Sequence, residues 1–173
     1  MEGRNRVIIE HVTPEIDQGR FPIKRVVNDK VEVQADIFCD GHDSIRAELL
    51  CKQAGDNDWQ VADMKYKIND RWYGAFTVKN QGEYIYTIRG WVDRVATWQK
   101  DVVKKIQAKV DISSDIAVGL QLIEEVITMY GTIEPDDKKY LTEIASLFSS
   151  ENVESEIIRP IESEGLYKVM SKY

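Results

Sequence analysis

The sequence predicts an α+β chain: an antiparallel β-sandwich over residues 1–110, then an acidic helical hairpin or bundle over residues 111–173. Three observations carry this. From residue 6 to about residue 98 the apolar period is two, broken by closely spaced Gly/Asn/Asp turns, as in antiparallel sandwiches. After Trp98 the period becomes that of amphipathic helices. The charge shifts as well. Residues 111–173 carry thirteen acids against five bases, a net of −8, whereas residues 1–110 have a net of +1, so the boundary is expected near residue 110.

Val7, Ile9 and Val12 begin a first strand, ended by Pro14. Val31, Val33, Ala35 and Ile37 alternate with Glu32, Gln34, Asp36 and Phe38 as a second. The turn Asp40-Gly41-His42-Asp43 leads to Ile45, Ala47, Leu49 and Cys51 on one face of a third, Gly41 being free to take positive φ. Ala54 to Asp58 is another turn, and Trp59 to Lys67 reads as one further strand. Trp72–Val78 and Glu83–Val92 complete the set, parted by Asn80-Gln81-Gly82. Asp101–Val110 reads as a charged helical connector.

Ser113 or Ser114 is then expected to cap a helix with Asp115 in its first turn. Ile116, Leu120, Ile123, Ile127 and Tyr130 form one apolar stripe of that helix, and Leu122, Val126 and Met129 a second beside it. This arc is too wide for one partner. Gly131 should stop the helix, and Pro135 suits the first turn of the next, whose apolar face is Tyr140, Leu141, Ile144, Leu147 and Phe148. A last helix is expected from Pro160 to Tyr173, with Leu166, Val169 and Met170 inward.

Composition bounds the function. The chain has 173 residues, 43% of them hydrophobic, enough for a sizeable core. A net charge of −7 argues against nucleic acid and against an anionic membrane surface as partners. The N-terminal MEGRNRVIIE lacks the apolar core of a signal peptide, and no stretch reaches transmembrane length. Cys39 and Cys51 fall on consecutive strands. A turn centred near His42 sets Cys39 opposite Ile45 and Cys51 several pairs away, too far for a disulfide. Two free thiols point to a reducing cytoplasm.

The residues offer little for catalysis, and no cofactor or metal is expected. His11 and His42 are the only histidines. His42, between Asp40 and Asp43, reads as a solvated turn residue rather than one of the three or four ligands a zinc site requires. Glu124-Glu125 and Asp136-Asp137 read as solvated surface and first-turn charge rather than as paired catalytic acids. The aromatic-rich stretch Asp70–Trp98 holds three of the four tryptophans. Trp72, Phe76 and Val78 share one face with Gly74, and Tyr84, Tyr86 and Ile88 share another; both sets read as core. Trp91 has the opposite parity, with Ile85, Thr87 and Arg89, and so faces outward. Trp91, Asp93, Arg94 and Trp98 are therefore the candidate contacts for a sugar or a protein partner.

The segments RVIIEHVTPEIDQGRFPIKRVVNDKVEVQADIFCDGHD, NDRWYGAFTV, GEYIYTIRGWVDRVATWQKD and VVKK resemble the N-terminal region of the bacterial α-1,4-glucan:maltose-1-phosphate maltosyltransferases, members of the α-amylase superfamily. The similarity runs from Arg6 to Lys105, with the helical part similar in placement and type. It implies an immunoglobulin-like sandwich with a helical bundle inserted into it, ahead of a catalytic (β/α)₈ barrel. It implies an enzyme that extends α-1,4-glucans from maltose 1-phosphate, and homodimer formation through the sandwich and bundle. The family continues beyond Met170-Ser171-Lys172-Tyr173 with a returning strand and the barrel, which needs at least about 200 residues. Its catalytic Asp and Glu match no position here. The expectation is a non-catalytic accessory and dimerisation domain whose partners are the rest of the enzyme and a second copy. The alternative is an α-glucan-binding module that uses an exposed Trp.

Overall fold

A computed structural model describes residues 7–129, 132–149 and 154–173. Residues 1–6, Tyr130 and the expected stop at Gly131 lie outside the described residues. The chain divides into two compact units, Met1–Asp93 and Arg94–Tyr173.

The first unit is built from two antiparallel sheets. Its strands are β1 (Val7–Thr13), β2 (Lys30–Cys39), β3 (Ile45–Gln53), β4 (Gln60–Asp63), β5 (Lys65–Ile68), β6 (Arg71–Thr77) and β7 (Tyr84–Val92). One sheet has the order β1-β2-β6-β5 and the other β4-β3-β7. The expected alternation is present. Val31, Val33, Ala35 and Ile37 from the first sheet share one buried cluster with Ala47 and Leu49 from the second. Trp72, Phe76, Tyr84, Tyr86 and Ile88 pack around that cluster. The Trp72 indole N–H donates to the Ile37 carbonyl at 3.0 Å, and the Tyr86 hydroxyl donates to the Pro14 carbonyl. Both amphipathic rings thus bury their bodies while satisfying their polar ends.

The segment expected as one strand from Trp59 to Lys67 is two. β4 pairs with β3, whereas β5 pairs with β6 in the other sheet. The change of sheet occurs at Met64, which is buried and whose backbone N–H reaches the Ala47 carbonyl at 2.9 Å. Alternation continues through the switch, so periodicity alone does not show it; a corner of this kind is set by which neighbour the backbone pairs with. Gly74, opposite Val33, admits this packing: a Cβ there would lie 3.2 Å from both Leu49 Cβ and Met64 Cγ.

A second irregularity lies in β1. Its register with β2 shifts between Glu10 and Thr13, and His11 has φ 49°. Arg71 occupies this bulge. Its guanidinium donates to the His11 carbonyl, Thr13 Oγ1, Gln34 Oε1 and Asp36 Oδ1, at 3.0–3.1 Å. His11 Nδ1 lies 2.9 Å from the other Asp36 oxygen. Arg71, with His11 beside it, holds the Asp36 carboxyl below its ordinary range, against a smaller opposing effect of burial.

The second unit consists of five helices: α1 (Arg94–Gln107), α2 (Ser113–Met129), α3 (Pro135–Ser149), α4 (Glu154–Glu162) and α5 (Glu164–Met170). α2 packs on α3, and α1 touches α2, α4 and α5. The units part between Asp93 and Arg94 rather than near residue 110, where the charge changes. The reason lies in α1. Its Trp98 and Val102 are buried in one core with Ile116, Ile123, Leu141, Phe148, Ile161 and Leu166, so the expected connector is part of the helical unit.

Three local expectations differ from the structure. The residue that caps α2 is Asp111: its carboxylate accepts the Ser113 N–H at 3.0 Å and the Ser113 hydroxyl at 2.6 Å, which holds it in the ionised form. Met129, placed in the second stripe, is 76% exposed at the end of α2. The single helix expected from Pro160 breaks at Ser163, whose extended backbone and side chain cap α5 by accepting the Leu166 N–H. Gln99 of α1 donates to the Ile161 and Ser163 carbonyls, satisfying the acceptors that this break leaves. Leu166 and Met170 point inward as expected. No helix among the described residues is long and apolar enough to cross a membrane.

Candidate functional site

The outward face of the three-stranded sheet carries a cluster of charged side chains around Trp91. The β3–β7 register sets Trp91 opposite Arg46 and Arg89 opposite Glu48, and the β3–β4 register sets Glu48 opposite Asp63. Strand parity places Arg46, Glu48, Arg89 and Trp91 on one face. The Arg46 guanidinium lies 5.4 Å from the Trp91 ring centroid, and that of Arg89 lies 5.9 Å from it. Arg89 Nε donates to Glu48 at 2.6 Å, and Arg46 lies 3.5 Å from Asp63. The indole is thus framed by two cations, each held by a carboxylate, a geometry favourable to cation–π attraction. Trp91 is half-buried, as the sequence parity requires of a ring on the solvent side of the sheet.

The other three candidate residues have different settings. Asp93 is buried, and its backbone N–H donates to the Ser44 carbonyl at 2.8 Å. In the helical unit, Arg94 forks onto the Glu125 carboxylate at 2.7 and 3.4 Å, and Gln121 adds a third contact at 3.2 Å. These partners, Arg94 first, lower the pKa of Glu125. Trp98 is an internal residue of that unit. Its indole N–H donates to the Asp115 carbonyl at 2.7 Å, and its ring meets Phe148 at 6.2 Å between centroids. Trp91 is therefore the one candidate ring on a surface. Its companions Arg46 and Glu48 escape sequence reading because only the β3–β7 register brings them to it.

The acidic pairs also divide. Glu125 is held by Arg94, and Asp137 is not a solvated first-turn acid but a buried one. It accepts from Lys172 Nζ at 2.8 and 3.1 Å and from the Tyr173 hydroxyl at 3.0 Å. Lys172, ahead of Tyr173, lowers the Asp137 pKa, and Asp137 in turn raises that of Lys172. Among the described residues, the carboxyls with a displaced pKa, Asp36, Asp111, Glu125 and Asp137, are displaced toward the ionised form. A glycosidic general acid needs the opposite displacement. His42 is exposed in its turn, and no group of three or more metal-ligating side chains occurs among the described residues. Cys39 and Cys51 are not disulfide-bonded, and burial pushes the Cys51 thiol up.

Comparison with known proteins gives one consistent result. The family model described as alpha-1,4-glucan:maltose-1-phosphate maltosyltransferase, domain N/S, matches residues 5–173. The enzyme of that name from Chlorobaculum tepidum is 47% identical over 123 residues, covering 71% of this chain and 18% of the relative. The one from Myxococcus xanthus is 38% identical over 149 residues, covering 83% and 22%. The one from Salinibacter ruber is 34% identical over 154 residues, covering 87% and 23%. The chain thus spans about a fifth of the length of these curated relatives, within their N-terminal region.

Proposed function

The chain belongs to the alpha-1,4-glucan:maltose-1-phosphate maltosyltransferase family as its domain N/S, and on that premise we propose that it is the non-catalytic accessory and dimerisation part of such an enzyme. The observation that carries the proposal is the match of that one domain across residues 5–173. The carboxyls support it, since those displaced are committed to a cap or to ion pairs rather than poised to give a proton. The maltosyl transfer from maltose 1-phosphate to α-1,4-glucan is then the work of the rest of the enzyme, with a reducing cytoplasm as its setting. The purified 173-residue chain should release no phosphate from maltose 1-phosphate in the presence of a glucan acceptor. Measurable release overturns the proposal.

The finer fold reading is an immunoglobulin-like sandwich. The sheet order β1-β2-β6-β5 corresponds to strands A-B-E-D of that fold, and β4-β3-β7 to C′-C-F. Strand G would lie at the free edge of β7, where no strand pairs among the described residues. A strand returning after the helices would occupy that edge and remove a template for pairing between chains. For the second unit, the contact of α2 with α3 supports the helical hairpin. Val118 and Met129, both exposed on α2, extend its apolar arc and support self-association. Sedimentation equilibrium should show concentration-dependent dimers; a monomer at all concentrations argues against this role.

Trp91 supports a second reading, an α-glucan-binding module. Its outward ring has the placement a sugar platform requires. The two guanidiniums beside it compete for the same ring, so this reading has less support than the first.

A further inference from the structure

β1 is an edge strand of its sheet, paired with β2 among the described residues. Side chains hold its bulge. Where the register shifts between Glu10 and Thr13, His11 takes φ 49°, a conformation that histidine adopts more readily than most residues. The His11 carbonyl accepts from the Arg71 guanidinium at 3.0 Å, and His11 Nδ1 lies 2.9 Å from Asp36 Oδ2. Arg71 also donates to the other Asp36 oxygen at 3.0 Å. One carboxylate of β2 thus joins a guanidinium of β6 to an imidazole of β1. The His11 side chain is 73% exposed, so its ring exchanges protons freely with solvent.

An ionised carboxylate only accepts hydrogen bonds, so the imidazole carries a proton on Nδ1 at this contact. A neutral ring can supply that proton, but a cationic ring makes the bond charge-assisted and about twice as strong. Arg71, with a smaller contribution from His11, holds the Asp36 carboxyl below its ordinary range, so Asp36 is ionised throughout the range in which histidine titrates. Glu10 stands opposite Asp36 in the β1–β2 register, which puts a second carboxylate on the same face. Glu32, further along β2, accepts from Gln34 instead. β7 meets β1 on its other face, where Val7 and Ile9 lie against Gly90. These elements therefore bring Asp36, Glu10 and Arg71 to the imidazole: two carboxylates against one guanidinium, a balance that attracts a cationic ring.

We infer that His11, Asp36 and Arg71 form a proton-responsive clasp on β1, which the cationic imidazole tightens and the neutral imidazole loosens. The direction follows from the partner. The added attraction is present at low pH, while the ring is charged, and is lost as pH rises through the histidine range of about pH 5 to 8. The chain has two histidines, and the other, His42, is exposed in the turn between β2 and β3. Loosening β1 bares the edge of β2, a row of backbone groups on which another strand can pair. The clasp does not depend on the accessory-domain reading.

The test is amide hydrogen exchange of the 173-residue chain followed by NMR, with rates corrected for the intrinsic pH dependence of exchange. Protection over residues 8–13 is expected to be about two- to fivefold greater at about pH 5.5 than at about pH 8, the range for an exposed ion pair. His11→Asn keeps a residue that tolerates the left-handed conformation but cannot become charged, and should abolish the difference. Asp36→Asn removes the carboxylate and should abolish it as well, whereas His42→Asn should leave it intact. Equal protection at both pH values in the wild-type chain overturns the inference. So does a difference that survives in His11→Asn or in Asp36→Asn, and either variant decides the matter if the other does not fold. A difference lost in His42→Asn assigns the effect to the turn and overturns the clasp.

Discussion

Trp98 fills the space in which a side chain at Gly119 would stand: a Cβ there would lie 2.3 Å from Trp98 Cζ2 and 2.8 Å from Cε2. Gly119→Ala improves helix propensity by up to about 1 kcal/mol but drives a methyl group into an indole fixed by its bond to the Asp115 carbonyl. Overpacking of this kind typically costs about 1–3 kcal/mol. Urea denaturation should show net destabilisation of the helical unit, and Gly119→Ala/Trp98→Leu should recover part of it. A neutral or stabilised single variant contradicts the packing described.

Lys172 and Tyr173 anchor Asp137 and make the helical unit sensitive to acid. The folded Asp137 pKa is depressed, so in the window below the ordinary carboxylate value of 3.8 the unfolded chain binds more protons than the folded one. Stability therefore rises with pH through that window and is lost as pH falls through the folded pKa. Lys172, whose folded pKa is raised above 10.5, contributes below that value and loses its contribution as pH rises through the folded pKa. Lys172→Gln should raise the Asp137 pKa by NMR titration and flatten the acid limb of the stability profile. An unchanged Asp137 titration refutes the pairing.

Arg71 holds the β1 bulge through bonds to His11, Thr13, Gln34 and Asp36. A lysine cannot reproduce that planar fork. Arg71→Lys should speed amide exchange over Glu10–Thr13 and move the Asp36 pKa upward. The amides of α2 and α3 serve as the internal control and should not change.

Met64 is 5% exposed at the point where the chain changes sheets. Met64→Ala should cost about 2–4 kcal/mol by transfer and cavity terms together. Gly74 lies beside it, so Gly74→Ala in the Met64→Ala background should be better tolerated than alone. Double-mutant-cycle denaturation measures that coupling, and strict additivity would show that the two positions do not share a space.

Trp91 and Arg46 should show a coupling of about 0.5–1 kcal/mol in a double-mutant cycle, the range for an exposed cation–π pair. Maltoheptaose should leave the fluorescence of the wild-type chain unchanged. A saturable change absent from Trp91→Ala would favour the glucan-binding reading over the accessory one.

Much of this was legible in the sequence where the determinant was local. The alternation through Val31, Val33, Ala35 and Ile37 gave a strand and its buried face. The parity of Tyr84, Tyr86 and Ile88 against Trp91 separated core from surface. What was not legible depended on partners far along the chain. Nothing in Gln60–Ile68 says that β4 pairs with Leu50 while β5 pairs with Tyr73. Arg46 and Glu48 join the Trp91 cluster only through strand register. Asp137 is a first-turn charge of α3 in the sequence and in the structure, but its burial against Lys172, distant along the chain, is not legible locally. The charge shift near residue 110 marked the change in acidity but not the boundary of packing, because the apolar face of α1 is narrow among its charges.

The change of sheet at Met64 has a consequence for fidelity. β4 and β5 are consecutive lengths of one chain, so the two ladders share an indexing point. A one-residue slip of β4 along β3 would drag β5 along β6 and move Met64, the buried residue between them, out of the core. Two errors must then occur together, in ladders stabilised by different partners. The corner thus works as a check on alignment: neither sheet can adopt a wrong count unless the other adopts it too.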